Sequence, residues 1–94
     1  MNLLDRFLIF LRNQKNKPSF STIKNYKADI SQFASWFEKE SELPFDPLKI
    51  TFQIIEQYKK NRNLSSVSVK RHLSSLRKFF NFLKIEGIIP QDPA

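Results

Sequence analysis

The sequence predicts an all-α fold, a compact four-helix bundle with a short C-terminal linker tail, and three observations predict it. Val69, Leu73, Leu76, Phe80 and Leu83 recur at alternating steps of four and three. That spacing stacks side chains on one face of a helix. No stretch alternates apolar and polar residues as a half-buried strand would. Helix-stopping residues fall in few places, chiefly Pro44 and Pro47 in the middle and Gly87 and Pro90 near the end. Ninety-four residues suit one domain with a modest core, and 10 Phe supply that core with large side chains.

The first helix is expected over 3–14. Asn2 can cap it, and Asp5 stands in the first turn, where the positive end of the helix dipole favours a carboxylate. Leu4, Phe7, Leu8 and Leu11 form the inward stripe, and Ile9 and Phe10 lie off it. Two uses for that outer pair stay open: burial of a small helix on two sides, or contact with another protomer or domain.

Asn13 to Pro18 is a polar connection. Ser19 or Ser21 then caps a second helix over 20–40, with Ile23, Tyr26, Ile30, Phe33, Ala34 and Phe37 facing the core. Its other face carries Lys24 and Lys27, then the small residues Ala28, Ser31 and Ser35, which would let a bulky partner approach the backbone. Trp36 falls at the edge of the core. In SELPFDPLKI, Ser41 to Ile50, the prolines force an extended turn, and Leu43, Phe45 and Leu48 are expected to tuck under the bundle.

A third helix follows over 52–61, capped by Thr51, with Ile54, Ile55 and Tyr58 inward. Asn61 to Leu64 turns the chain. Ser65 would cap the fourth helix, over 66–86. Gly87 suits the left-handed position just past its end, with Ile88 folding back on Leu83. Residues 88–94, IIPQDPA from Ile88 to Ala94, read as the start of a linker to a further domain.

Charge gives the first functional signal. The net charge is +7, and 14 of the 16 cations fall in two blocks free of acids, Arg6 to Ala28 and Gln57 to Ile85. Residues 29–56 instead hold Asp29, Glu38, Glu40, Glu42, Asp46 and Glu56 against Lys39 and Lys49. A solvated helix face normally mixes signs, because opposite charges three or four apart support it. Sign segregation on this scale is the footprint of a polyanion binder with one face turned away.

Other chemistry is poorly served. Cysteine is absent, and one His and scattered acids make no familiar metal site. A single Gly cannot build a phosphate-cradling loop. The many Ser have no His and acid partners for nucleophilic catalysis. His72 reads as a residue of the core edge or of the DNA-proximal surface, and Glu38, Glu40 and Glu42 as a solvated helix end. No cofactor, no metal and no catalytic residue is expected, and apolar stretches broken by charge predict a cytoplasmic chain that does not span a membrane.

Two stretches carry a resemblance. STIKNYKADISQFASWF, Ser21 to Phe37, places Thr22, Tyr26, Asp29, Ile30, Phe33 and Phe37 in a recognisable order. From Leu64 to Ala94, Arg71, Leu73, Ser74, Leu76, Arg77, Phe79, Phe80, Phe82 and Leu83 do the same before an Asp92-Pro93 exit. Together they resemble the N-terminal core-binding domain, also called SAM-like, of tyrosine recombinases of the phage-integrase and Xer type. Two departures stand out: Asp92 where Asn is common, and Ile54 where an acid is frequent. The resemblance implies one half of a clamp around duplex DNA, with the second and fourth helices facing the major groove. It also implies that the catalytic Arg, Lys, His and Tyr of the parent DNA strand-breaking and rejoining enzyme lie in another domain. Tyr26 and Tyr58, at core spacings, are not read as nucleophiles.

The expected DNA contacts are Lys24, Asn25 and Lys27 on the second helix and Ser66, Ser68, Lys70, Arg71, Ser74, Arg77 and Lys78 on the fourth. The cations would meet phosphates, with Lys70 or Arg71 reaching toward base edges. Expected partners are double-stranded DNA and further recombinase protomers, through Ile9 and Phe10. The alternatives are a helical protein-interaction module and a helix-turn-helix regulator read through the junction of the third and fourth helices.

Overall fold

The structure is a computed structural model that describes residues 2–61 and 66–93, with the side chains of Asn61 and Ser66 excepted. The described residues form four α-helices, α1 (Leu3–Arg12), α2 (Phe20–Ser41), α3 (Phe52–Asn61) and α4 (Ser66–Ile85), with one 3-10 turn over Pro47–Lys49 and no strand. Asn61 to Leu64, the expected turn, lies largely outside the described residues. Ser65, the expected cap, lies wholly outside them.

Local chemistry sets the helix ends. Asn2 Oδ1 accepts from the Asp5 N–H at 2.8 Å, and Ser19 Oγ from the Thr22 N–H at 3.2 Å. Thr51 Oγ1 accepts from the Ile54 N–H at 3.3 Å. Each satisfies a first-turn donor that has no partner inside its helix. α1 stops at Arg12, short of Gln14, and Asn13 closes it by donating to Ile9 and Phe10.

The two long helices end in different ways. At the end of α4, the Gly87 N–H bonds the Lys84 carbonyl at 3.0 Å, and the Ile88 N–H bonds Leu83 at 2.9 Å. Gly87 itself has φ +73°. This is the paired closure anticipated from the sequence. α2 ends on Glu42 at φ 59°, a left-handed conformation that L side chains rarely adopt. Replacing Glu42 by Gly removes that penalty, offset in part by the greater entropy of an unfolded glycine. Glu42→Gly should therefore stabilise the domain by about 0.5–1 kcal/mol in denaturant titrations.

The core forms where α1, α2 and α4 meet and is closed by α3. Phe7 of α1 lies between Phe79 and Phe82 of α4, at ring-centroid distances of 5.3 and 5.5 Å. Phe33 of α2 meets Tyr58 of α3 at 5.0 Å, edge to face. Phe79 and Phe82 are buried although they lie off the predicted stripe of α4, while Val69 and Leu73 are only partly covered. The reason is that α4 packs against both α2 and α1, so its buried face is broad toward its C-terminus.

Three further expectations change. Phe10 lies 4.9 Å from Phe82 and belongs to the core margin, leaving only Ile9 of the outer pair exposed. In the proline turn Phe45 tucks in against Phe33 and Phe37, but Leu43 and Leu48 are exposed. Their places are taken by Pro47 and Ile50, because the 3-10 turn rotates Leu48 outward. The tail after Gly87 is not wholly free: Ile89 is buried, and residues up to Pro93 line a groove with Pro47, Ile50 and Phe52.

Candidate nucleic-acid interface

The exposed cations of α2 and α4 follow from helix geometry. On α4, Lys70, Ser74, Arg77 and Asn81 succeed one another at steps of four, three and four, and all are exposed. They form the outermost line, opposite the buried His72, Phe79 and Leu83. Arg71 and Lys78, seven residues apart, lie along the flank of this line, with Arg71 exposed and Lys78 partly covered. On α2, Lys24, Asn25 and Lys27 occupy the exposed first two turns. Ser68 is partly covered, and the side chain of Ser66 lies outside the described residues.

Charge pairing separates these residues. Lys24, Lys27, Lys70, Arg77 and Lys78 have no carboxylate within salt-bridge distance among the described residues. Lys59, by contrast, bonds Glu56 on its own helix at 3.1 Å. Arg71 also differs from its neighbours. Its Nη2 donates to Asp29 Oδ1 at 2.8 Å, across from α4 to α2. The anion that the basic face of α4 seemed to lack is thus supplied in part from inside the protein.

Asp29 is the centre of a buried polar network that sequence reasoning missed. Its side chain is fully buried, a placement that the charge map, which only counted it among the acids of residues 29–56, did not anticipate. Ser75 Oγ donates to Oδ2 at 2.7 Å, and His72 Nε2 stands 3.5 Å from Oδ1. On the other ring nitrogen, His72 Nδ1 meets the Tyr58 hydroxyl at 2.9 Å. A His72 tautomer protonated on Nε2 satisfies the whole chain, with Tyr58 donating to Nδ1 and Nε2–H turned toward the carboxylate. His72 is therefore a core residue, and the DNA-proximal reading of it does not hold.

The signal for this network was in the spacing. Asp29 sits between Tyr26 and Phe33 at steps of three and four, inside an apolar stripe. A carboxylate there must find donors, because burying an unpaired charge is costly. Arg71 and Ser75 are one helical turn apart, which is the spacing two donors need to reach the two oxygens of one carboxylate.

Two residues of the small-residue strip of α2, Ser31 and Ser35, line a groove of about 600 Å³ with Ala34 of the core face and with Leu3 and Leu4 at the start of α1. Among the described residues no group of three or more His, Cys, Asp or Glu could hold a metal ion, and no helix is long and apolar enough to cross a membrane.

Comparison with known proteins agrees with this arrangement. Residues 4–87 match the family model of the phage integrase N-terminal SAM-like domain. A tyrosine recombinase XerC of Thermodesulfovibrio yellowstonii is 36% identical over 91 residues, covering 97% of this chain and 29% of that protein. A XerC of Anoxybacillus flavithermus is 32% identical over 95 residues, covering 96% of this chain and 30% of its own. A XerD of Lacticaseibacillus casei is 35% identical over 77 residues, 78% of this chain and 25% of its own. The chain thus spans less than a third of the length of these relatives. With four helices in the expected order and a match over nearly all of them, the chain belongs to the phage integrase N-terminal SAM-like domain family.

Proposed function

We propose that this chain is a DNA-binding domain of a site-specific tyrosine recombinase or integrase, gripping duplex DNA through α2 and α4. The observation that carries the reading is the set of five exposed or half-exposed cations, Lys24, Lys27, Lys70, Arg77 and Lys78, that lack a carboxylate partner among the described residues. Cations held apart from acids attract a polyanion, and the family of the chain supports DNA as that polyanion. Asn25, Ser68 and Ser74 would add neutral hydrogen bonds, and so would Ser66, which is expected from the sequence alone. Cleavage and rejoining of strands would belong to the remainder of a longer protein, of which the relatives are examples. Assembly with further protomers through α1 would rest on Ile9, because Phe10 is held by Phe82.

The test is fluorescence anisotropy of a labelled duplex titrated with the chain across a series of salt concentrations. Five neutralised phosphates give a slope of log affinity against log salt of roughly −4.5. Arg77→Ala should make the slope shallower by about one. A flat salt dependence, or equal affinity for a neutral polymer, would sink the reading.

A further inference from the structure

We infer that Asp29 is a positioning residue for DNA binding: it holds Arg71 so that the outer edge of the guanidinium meets one backbone phosphate. The inference rests on the proposed DNA-binding reading and assigns a role within it to a residue that touches no DNA.

Burial and geometry carry the argument. The Asp29 side chain is fully buried and that of Arg71 is 51% exposed, although the two are joined at 2.8 Å. One end of the guanidinium is therefore anchored in the protein and the other faces solvent. A guanidinium has five N–H donors in a rigid plane. Nη2 is engaged by Asp29 Oδ1, and donors remain for an external acceptor. Asp29 cannot swing away with Arg71, because Ser75 holds its second oxygen at 2.7 Å.

The place of Arg71 on α4 selects phosphate over base. Lys70, Ser74 and Arg77 form the outermost line of the helix, the line that would enter a groove deepest, from which the long, untethered Lys70 and Arg77 side chains can swing to the phosphates of either wall. Arg71 stands on the flank beside α2, where a helix lying in a groove meets the sugar-phosphate wall. Asn25 precedes Asp29 by one turn of α2, so the exposed basic start of that helix borders the same corner. A tethered arginine also surrenders less side-chain freedom on binding than a free one, which is how preorganisation raises affinity.

The sign of one substitution separates positioning from charge. Asp29→Asn raises the net charge of the protein by one, so electrostatics alone makes it bind duplex DNA more tightly. Positioning makes it bind more weakly, by about three- to tenfold, the cost of immobilising one long side chain on binding. The experiment measures anisotropy with several duplexes of unrelated sequence for wild type, Asp29→Asn, Arg71→Ala, the double variant and Arg71→Lys, with helix content checked by circular dichroism.

The inference expects Asp29→Asn to weaken binding when Arg71 is present and to leave it unchanged or tighter on the Arg71→Ala background. Arg71→Lys, which keeps the charge and gives up the planar fork, should weaken binding nearly as much as Arg71→Ala. If Asp29→Asn does not fold, the Arg71→Lys comparison decides alone. Tighter binding by Asp29→Asn, equal weakening on both backgrounds, or full affinity in Arg71→Lys overturns the inference. So does a loss confined to duplexes carrying one particular base pair, which would make Arg71 a reader of bases. Wild type that fails to bind duplex DNA at any salt overturns the DNA-binding reading itself.

Discussion

Phe33→Ala should be the most damaging single truncation in this domain, with a loss of about 3–5 kcal/mol. Phe33 is fully buried and is the ring at which four segments meet. From its place on α2 it lies 5.9 Å from Trp36 of the same helix, 6.2 Å from Phe45 of the proline turn, 5.0 Å from Tyr58 of α3 and 6.4 Å from Phe80 of α4. Three of these contacts are edge to face, the arrangement in which ring quadrupoles attract. Rigid aromatic neighbours cannot collapse into the space that alanine leaves, so the cavity contribution adds to the lost transfer energy.

Domains of this size are stable by about 5–15 kcal/mol, so the variant should be near the limit of folding. Urea titration followed by far-ultraviolet circular dichroism gives the measurement. The midpoint should fall sharply with little change in slope, as expected when stability changes and the exposed area does not. Phe20→Ala is the matched control, since Phe20 is 82% exposed and should change stability by no more than about 0.5 kcal/mol. A loss under about 1 kcal/mol for Phe33→Ala would show that the aromatic cluster is not the keystone of the core.

Much of the fold was legible because helices announce themselves locally. Apolar spacing, the caps at Asn2, Ser19 and Thr51, and the Gly87 closure each depend on residues within one or two turns. What escaped depends on the partner element. Phe79 and Phe82 lie off the stripe of α4 and are buried because α1 covers that side with Phe7 and Phe10. Leu48 turned outward because of the backbone of the 3-10 turn. The basic surface was visible in outline, since unpaired Lys and Arg need no tertiary information to be counted. The division within it was not: Arg71 looks like its neighbours until Asp29, 42 residues earlier, is seen to hold it.

That pair yields the second large effect and an asymmetry. Arg71→Ala leaves a fully buried carboxylate with Ser75 as its closest donor. Breaking a buried pair from one side costs about 3–5 kcal/mol. Arg71 is half exposed, so solvent screens part of its attraction, and a loss of about 2–3 kcal/mol is expected. Lys70→Ala, on the same helix and with no carboxylate partner among the described residues, should change stability by less than about 0.5 kcal/mol. Replacing the charged pair together should be gentler: Asp29→Leu with Arg71→Met and Ser75→Ala should cost less than Arg71→Ala alone, because no charge stays buried and only the neutral His72 ring loses an acceptor.

The triple variant then shows what the network is for. If α4 slid along α2 by one turn toward its own N-terminus, Leu76 and Phe79 would take the places of His72 and Ser75 beside Asp29, Arg71 would move away, and the carboxylate would meet a largely apolar surface. The network therefore forbids a register that apolar packing alone would tolerate. With its charges removed, the domain should keep most of its stability but lose uniqueness, seen as a broader thermal transition and poorly dispersed amide resonances. A triple variant as well ordered as wild type would leave Asp29 with no part in setting register, and its reason for being buried would then lie with Arg71 and the proposed DNA contact.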